Sequence, residues 1–541
     1  MADYDYIIVG AGSAGCVLAN RLSADPAIRV LLLEAGGSDA HPFITMPRGL
    51  AKVMANARYV WPFATRPEPR SNGVAEIWAR GRVLGGSSAV NGMVYVRGAR
   101  ADFDALAEQT SPDWNWDHMA RAYRAIEAHE LGEGPARGGS GPLPVTLPET
   151  RPALSEAVIA AGQALGLQRC EDVNDPADSA RIGYAPRTIW RGRRQSAAAA
   201  FLRPARKRPN LTVITGAVVD RLLFEGQRAT GVAARIRGAE VSFHARREIV
   251  LSAGTHASPA ILQRSGVGPA AVLAGLGIPL VADRPGVGEN LFEHRGLVFQ
   301  WRVADRLSQN RALRGGGLLG SVLRYYLTRR GAMAGGAYDM AAYVRSDPAL
   351  ERPDLQLLIA PYSLDFNAVP LQIEGHGGFN ICVYPIRPLS RGRVVIDSRD
   401  PAVLPRIEPH YGSHPQDTAL LPVMAEVVRR LVAQPPLAAL VEAETRPGPA
   451  YRTPAELDEA WLRFGYANYH SAGTCRMGKD AAAVVDPACR VRGTAGLRVV
   501  DTSLFPFMLA GNTNAPAMAL AWRAADIILS SCGMDEAAGK R

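Results

Sequence analysis

At 541 residues, 47% hydrophobic and 21% charged, the chain is too long for one ordinary core and too apolar to be disordered or fibrous. Its formal charge of +10, from 61 Lys and Arg against 51 Asp and Glu, is scattered and accompanies no nucleic-acid motif, so nucleic acid is not an expected partner. Six cysteines without CxxC spacing argue against zinc or a redox dithiol, no metal is expected, and no uncharged run reaches the roughly 20 residues of a membrane-spanning helix.

The opening residues Met1-Ala2-Asp3-Tyr4 carry an acidic start rather than a basic region before an apolar one, so no secretion signal is expected. With so few cysteines, a reducing, cytoplasmic setting fits best. Asp5 to Val9 read as a buried strand, Gly10 to Gly15 as a tight turn, Cys16 to Ser23 as the start of a helix, and Arg29 to Leu33 as a second strand ending at Glu34. This βαβ unit predicts a parallel sheet covered by helices, an α/β class. Residues 36 to 97 are rich in Gly, Pro and Ser, as a loop tract held against a ligand would be. Leu211 to Thr215, Gly231 to Arg237, Glu248 to Ser252 and Leu497 to Val500 read as strands, and Ala515 to Leu529 as a helix. The stretch from about 296 to 465 mixes strand-like segments (Phe379 to Tyr384, Val394 to Asp397) with a helical one (Thr418 to Ala433), and reads as a second domain inserted into the first. There is no fixed-period repeat.

Gly10-Ala-Gly12-Ser13-Ala14-Gly15 follows a strand and opens a helix, the context in which glycines admit a pyrophosphate to the backbone and the helix N-terminus stabilises its charge. Glu34, nineteen residues beyond Gly15 and followed by Ala35, is placed to accept hydrogen bonds from a ribose hydroxyl. The glycines alone could serve only a tight turn; with both strands and Glu34 they predict a dinucleotide, NAD or FAD.

A second segment separates those two. Arg80-Gly-Arg-Val83-Leu-Gly-Gly86-Ser87-Ser-Ala-Val-Asn91-Gly92-Met93-Val94 and Ala253-Gly-Thr-His-Ala-Ser258-Pro-Ala-Ile-Leu-Gln-Arg-Ser265-Gly266 resemble the two signatures of the glucose-methanol-choline (GMC) family of flavin oxidoreductases. Gly286-Val-Gly-Glu-Asn-Leu-Phe-Glu-His294, Tyr469 to Gly478, and Val500 to Pro516 match further family blocks in order. The motif texture is similar to the bacterial alcohol and choline dehydrogenase-like branch. The resemblance implies a Rossmann-like FAD-binding domain built from discontinuous segments (1–155, 205–295, 466–541) and an inserted sheet-and-helix substrate domain of α+β type (156–204, 296–465). It also implies FAD contacts at the glycine turn, Glu34 and Ala35, along Arg80 to Val94, at Val219 and Asp501, and at Asn512, Thr513 and Asn514. Some family members tether the flavin through a histidine where this chain has Val90, so non-covalent FAD is expected.

The chemistry falls to His470, which matches the family's catalytic histidine. Hydride leaves an alcohol carbon readily only if the hydroxyl proton is removed as it moves, and an imidazole near its ordinary pKa of about 6.5 accepts a proton at neutral pH. Asn512 stands where the family carries a histidine or asparagine that donates to the developing alkoxide. Asn514 is expected to face the flavin at a helix N-terminus, where the dipole favours an anionic ring. Tyr469 is a substrate-cavity candidate with plain packing as the alternative. His294 is expected to serve structure and Cys475 to be a buried thiol. Residues 313–330 suit a lid, a homo-oligomer contact or a peripheral membrane patch, with a surface segment bearing one apolar face as the simplest reading.

The expected reaction is oxidation of a CH–OH group, a primary alcohol first, with electrons passed to a quinone, an electron-transfer protein or O2. The rivals are an oxygen-using oxidase of the same fold, and a family member that holds FAD without oxidising an alcohol, of hydroxynitrile lyase or fatty-acid photodecarboxylase type. A silent flavin module and an NAD-dependent dehydrogenase stand behind those.

Overall fold

The computed structural model describes residues 4–135, 137–174, 178–368 and 371–538, the last seven by backbone alone. The first strand, Tyr4–Val9, lies between Val30–Glu34 and Ala239–Leu251, parallel to both. Leu211–Thr215 extends the sheet in parallel beyond Val30–Glu34, and Leu497–Val499 pairs in parallel with the end of Ala239–Leu251. Val30 to Leu33 are all buried, since a parallel strand covered on both faces has no solvent side to alternate towards.

The thirteen-residue strand Ala239–Leu251 belongs to two neighbourhoods. Its last residues sit in the parallel core, while its first half pairs antiparallel with Arg228–Ile236, which pairs in turn with Ala217–Glu225. One helix, Ser13–Leu22, follows the glycine turn and packs against the C-terminal helix Asn514–Ala538, which also meets Trp116–Ile126. Chain beginning and chain end thereby close over the same turn.

A second sheet runs in the order Val441–Arg446, Arg295–Val303, Gly378–Pro385, Leu355–Ala360, Met340–Val344, Arg181–Tyr184, Gln168–Arg169, with Tyr466–Ala467 attached to the start of Arg295–Val303. Its strands alternate with period two. Leu297, Phe299, Leu357, Ile359, Ile381 and Val383 pack under the helices Ala153–Ala164, Pro415–Val432 and Pro454–Phe464. Val298, Leu358, Cys382 and Tyr384, on the other face, form a separate cluster turned to the first domain. That face roofs the site. The architecture is mixed α/β, and no helix among the described residues is long and apolar enough to cross a membrane.

Candidate active site

One cavity of about 1260 Å³ runs from the glycine turn to the roof of the second sheet. Gly10, Gly12, Ser13, Ala14, Glu34, Ala35, Arg80, Gly86, Ser87, Asn91, Gly92, Met93, Val94, Val219, Tyr469, His470, Asp501, Asn512, Thr513 and Asn514 all line it. Gly15 and Val83 stand behind its wall. A Cβ on Gly15 would lie 1.9 Å from the Gly10 carbonyl oxygen, so Gly15 lets the first helix close onto the strand, while Val83 is fully buried and its carbonyl accepts from the Gly86 N–H.

The glycine-turn end fits a dinucleotide. Gly12 would carry a Cβ with nothing nearer than 3.9 Å, so the backbone there borders open space. The Glu34 carboxylate accepts from the Ala11 N–H at 2.9 Å and the Gly36 N–H at 2.8 Å, one bond to each oxygen, which leaves each a further acceptor position. Burial pushes its carboxyl up to about 7, against the pull of those two N–H groups. A ribose diol would supply the donors this buried acid lacks. At the far side Ser13 donates to the Asn514 side chain at 2.7 Å, tying the first helix to the start of the last. Asp501 lines the cavity, yet its carboxylate is already engaged by Gly254 N–H, Ser258 hydroxyl and Ser503 N–H.

The His470 end is a chain of directed hydrogen bonds. His294 Nε2 lies 2.7 Å from the Ile386 carbonyl, which can only accept, so that nitrogen carries the proton and Nδ1 of the neutral ring is the acceptor. His470 Nδ1 lies 3.0 Å from that Nδ1 and must therefore donate to it. The unprotonated nitrogen of His470 is then Nε2, 2.8 Å from the Asn512 amide nitrogen. From the other side Tyr384 donates to Gln356, whose amide donates to Asn512 Oδ1 at 3.5 Å, so the Asn512 NH2 points at His470. Tautomers and amide orientation follow from this network, because no other assignment satisfies every link. Burial, with His294 and Arg80 nearby, holds His470 well below its ordinary value, and burial takes His294 down to about 4. Both rings are neutral at neutral pH.

A buried carboxylate holds this machinery in place. Glu293 accepts from the His470 N–H at 2.6 Å, the His294 N–H at 3.0 Å and the Ser471 hydroxyl at 2.6 Å, and pairs with Arg80 at 3.2 Å. Arg80 in turn donates to the Tyr469 carbonyl. Tyr469 sits at φ +63°, a left-handed conformation that a non-glycine side chain adopts only when its surroundings over-determine it. His294 thus does more than the structural duty expected of it, being the direct partner of His470. Glu293, Gln356 and Tyr384 carried no sequence signal except that Glu293 and His294 end a matched block. His256, also on the cavity wall between Phe63 and Trp78, has neither ring nitrogen paired within the protein. Cys475 is fully buried with its thiol pushed up by burial, as expected.

Helix Gly315–Thr328 forms part of the rim and departs from the single apolar face expected of it. Leu318 and Val322 turn into the cavity, while Leu319, Leu323 and Leu327 are 74%, 62% and 76% exposed on the outside.

GMC oxidoreductase family profiles match residues 4–295 and 388–521. The chain belongs to the GMC oxidoreductase family. It is 40% identical over 538 residues to an oxygen-dependent choline dehydrogenase of Photobacterium profundum, covering 98% of this chain and 93% of that one. An oxygen-dependent choline dehydrogenase of Pseudomonas aeruginosa is 39% identical, with 97% and 94% covered. Among solved structures, pyridoxine 4-oxidase from Mesorbium loti superposes with a TM-score of 0.87 at 33% identity, covering 97% of this chain and 99% of that one. An Aspergillus oryzae formate oxidase studied for its FAD modification gives 0.90 at 27%, covering 98% and 99%.

Proposed function

We propose that this GMC oxidoreductase removes the hydroxyl proton of an alcohol with His470 Nε2 while the carbinol hydride leaves, and that Asn512 holds the oxygen as it becomes alkoxide-like. The enzyme is an FAD-dependent alcohol oxidiser. FAD, bound without a covalent tether, supplies the two-electron acceptor that takes the hydride. The observation that carries the reading is the one-way hydrogen-bond chain through His294, His470 and Asn512. It leaves one basic nitrogen at the cavity surface and one amide N–H beside it.

The protein's own groups divide the work. Glu293 fixes the main chain of His470, His294 fixes its tautomer, and Gln356 aims the Asn512 amide. When an alcohol oxygen enters between His470 Nε2 and Asn512 Nδ2, the imidazole accepts its proton and the amide donates to it. Glu34, the glycine turn and the start of the last helix are the holding points for the dinucleotide. Val219 and Ala35 would wall its adenine end, and Asn91, Gly92, Met93 and Val94 would lie along its middle; all six line the cavity. In this reading the first sheet belongs to the cofactor domain and the second to the substrate domain. The buried free thiols of Cys16, Cys382, Cys475 and Cys489 support a cytoplasmic setting.

The test is anaerobic. Mixing the FAD-loaded protein with a panel of primary alcohols should bleach the flavin absorbance, and re-oxidation with O2 or with a quinone identifies the acceptor. Stoichiometric peroxide under air assigns an oxidase; dye or quinone turnover without peroxide assigns a dehydrogenase. A flavin that no alcohol bleaches removes the proposed reaction and returns the lyase and photodecarboxylase readings.

A further inference from the structure

The curated relatives are named for choline, a quaternary-ammonium alcohol. The chamber beside His470 is built for something else. Among the described residues lining the cavity, only Glu34 and Asp501 carry carboxylates. Glu34 stands at the glycine turn, and Asp501 is turned away onto Gly254, Ser258 and Ser503. Glu293, the buried acid bonded to the His470 main chain, is not on the wall, being committed to Arg80, Ser471 and two backbone N–H groups. Among the described residues, therefore, no carboxylate faces a ligand bound at His470.

The second-domain wall is apolar and aromatic, with Leu358, Leu364, Phe366, Tyr338, Tyr362 and Tyr466 at its centre. Its charges are positive. Arg48 and Arg314 line the mouth, and the Arg48 guanidinium lies 4.6 Å from the Tyr362 ring. Behind the lining, Arg446 lies 4.1 Å from the Phe366 ring centroid and 4.5 Å from that of Phe464, so the Phe366 ring already holds one cation. A trimethylammonium group entering this chamber would lose its water, gain no counter-ion, and meet guanidinium groups of its own sign. An alkyl or aryl body of the same shape would lose nothing polar.

We propose that this chamber selects uncharged alcohols with an apolar or aromatic body and rejects quaternary-ammonium alcohols. The inference rests on the alcohol-oxidation reading of the same site. Its test compares isosteres, so that shape is constant and charge alone varies. Choline is set against 3,3-dimethylbutan-1-ol, and 4-(trimethylammonio)benzyl alcohol against 4-tert-butylbenzyl alcohol, in anaerobic stopped-flow reduction of the FAD-loaded enzyme. Kd is read separately from the perturbation of the flavin spectrum. The neutral member of each pair should show at least about a tenfold advantage in both reduction efficiency and Kd, the scale of one unpaired buried charge after relaxation. Arg446→Met should free the Phe366 ring face and shrink that advantage, read as the ratio within each pair. Equal or better performance by either ammonium compound overturns the proposal. If no alcohol reduces the flavin, the oxidation reading fails, and the Kd ratio still decides the charge preference on its own.

Discussion

At the glycine turn the cavity is bordered by backbone; at His470 it is bordered by side chains. The first region is built from consecutive residues. Gly10 to Gly15, the strand before them and Glu34 all belong to one βαβ unit, and the Ala11 and Gly36 N–H groups set the one essential acid. The second region draws His294, Gln356, Tyr384, His470 and Asn512 from five separate stretches of chain. A local cradle offers N–H groups that survive substitution wherever a Cβ fits, which excludes Gly10 and Gly15, where one would lie 2.6 and 1.9 Å from a carbonyl oxygen. A chain of directed hydrogen bonds has no such tolerance, because each link fixes the donor of the next.

The sharpest way to break the contrast is His470→Ala. Removing the base should lower the rate of flavin reduction by about 10²- to 10⁴-fold while the bound-FAD spectrum persists, since the cradle does not depend on this ring. Loss of FAD along with the rate would show that the two regions are not separable. Asn512→Ala should follow, at roughly 10²- to 10³-fold, the scale of one missing oxyanion donor. It lines the cavity on both sides of the question, so equilibrium dialysis of FAD must accompany the kinetics.

His294→Ala probes the tautomer argument. Without an acceptor at His470 Nδ1 the ring loses its preference for an unprotonated Nε2, and reduction should slow by about 10²-fold, short of the roughly 10⁴-fold that a wrong tautomer costs a serine-protease triad. A pH profile separates this from mere loosening. His470 is held well below its ordinary value by burial first and by His294 and Arg80 next. The neutral base therefore persists as pH falls past about 6.5, and reduction is lost only as pH drops through the depressed value. Removing His294 takes away one of the depressing neighbours, so the acid limb should move to higher pH. A limb that stays in place would mean that His294 acts through packing alone.

The same contrast explains what was legible beforehand. The glycine turn, Glu34 and the buried run Val30 to Leu33 announce themselves within about thirty residues of sequence. His470 and Asn512 were found through matched blocks, and their partners were not. Gln356 and Tyr384 lie on neighbouring antiparallel strands whose pairing register no local pattern records. The strand Arg295–Val303 was invisible for a related reason. With all but Arg302 buried, it lacks the polar alternation that marks a half-exposed strand. His294 was read as structural because a buried histidine usually is, and only the Ile386 carbonyl on its other nitrogen reveals what it does to His470.

The smallest expected effect belongs to the cradle. Glu34 is raised to about 7 by burial, from about 4.5 in an exposed chain. A carboxyl raised on folding favours the folded state fully below the exposed value, and that contribution is lost as pH climbs through about 7. Protein stripped of FAD should therefore lose melting temperature between pH 5 and 8 relative to Glu34→Gln, which has no proton to release. The difference should be about 2 °C for a chain of this size, measured as variant against parent so that the buried histidines cancel. FAD should abolish it in the parent, since ribose hydroxyls donating to the carboxylate restore its ionised form. The same bonds, worth about 1.5–3 kcal/mol when made to a charged group, set the loss of FAD affinity in Glu34→Ala at about 10- to 10²-fold, with activity recovered by excess FAD. Persistence of the pH difference in the loaded protein would mean that the carboxylate does not receive the cofactor at all, and would move the ribose away from this end of the cavity.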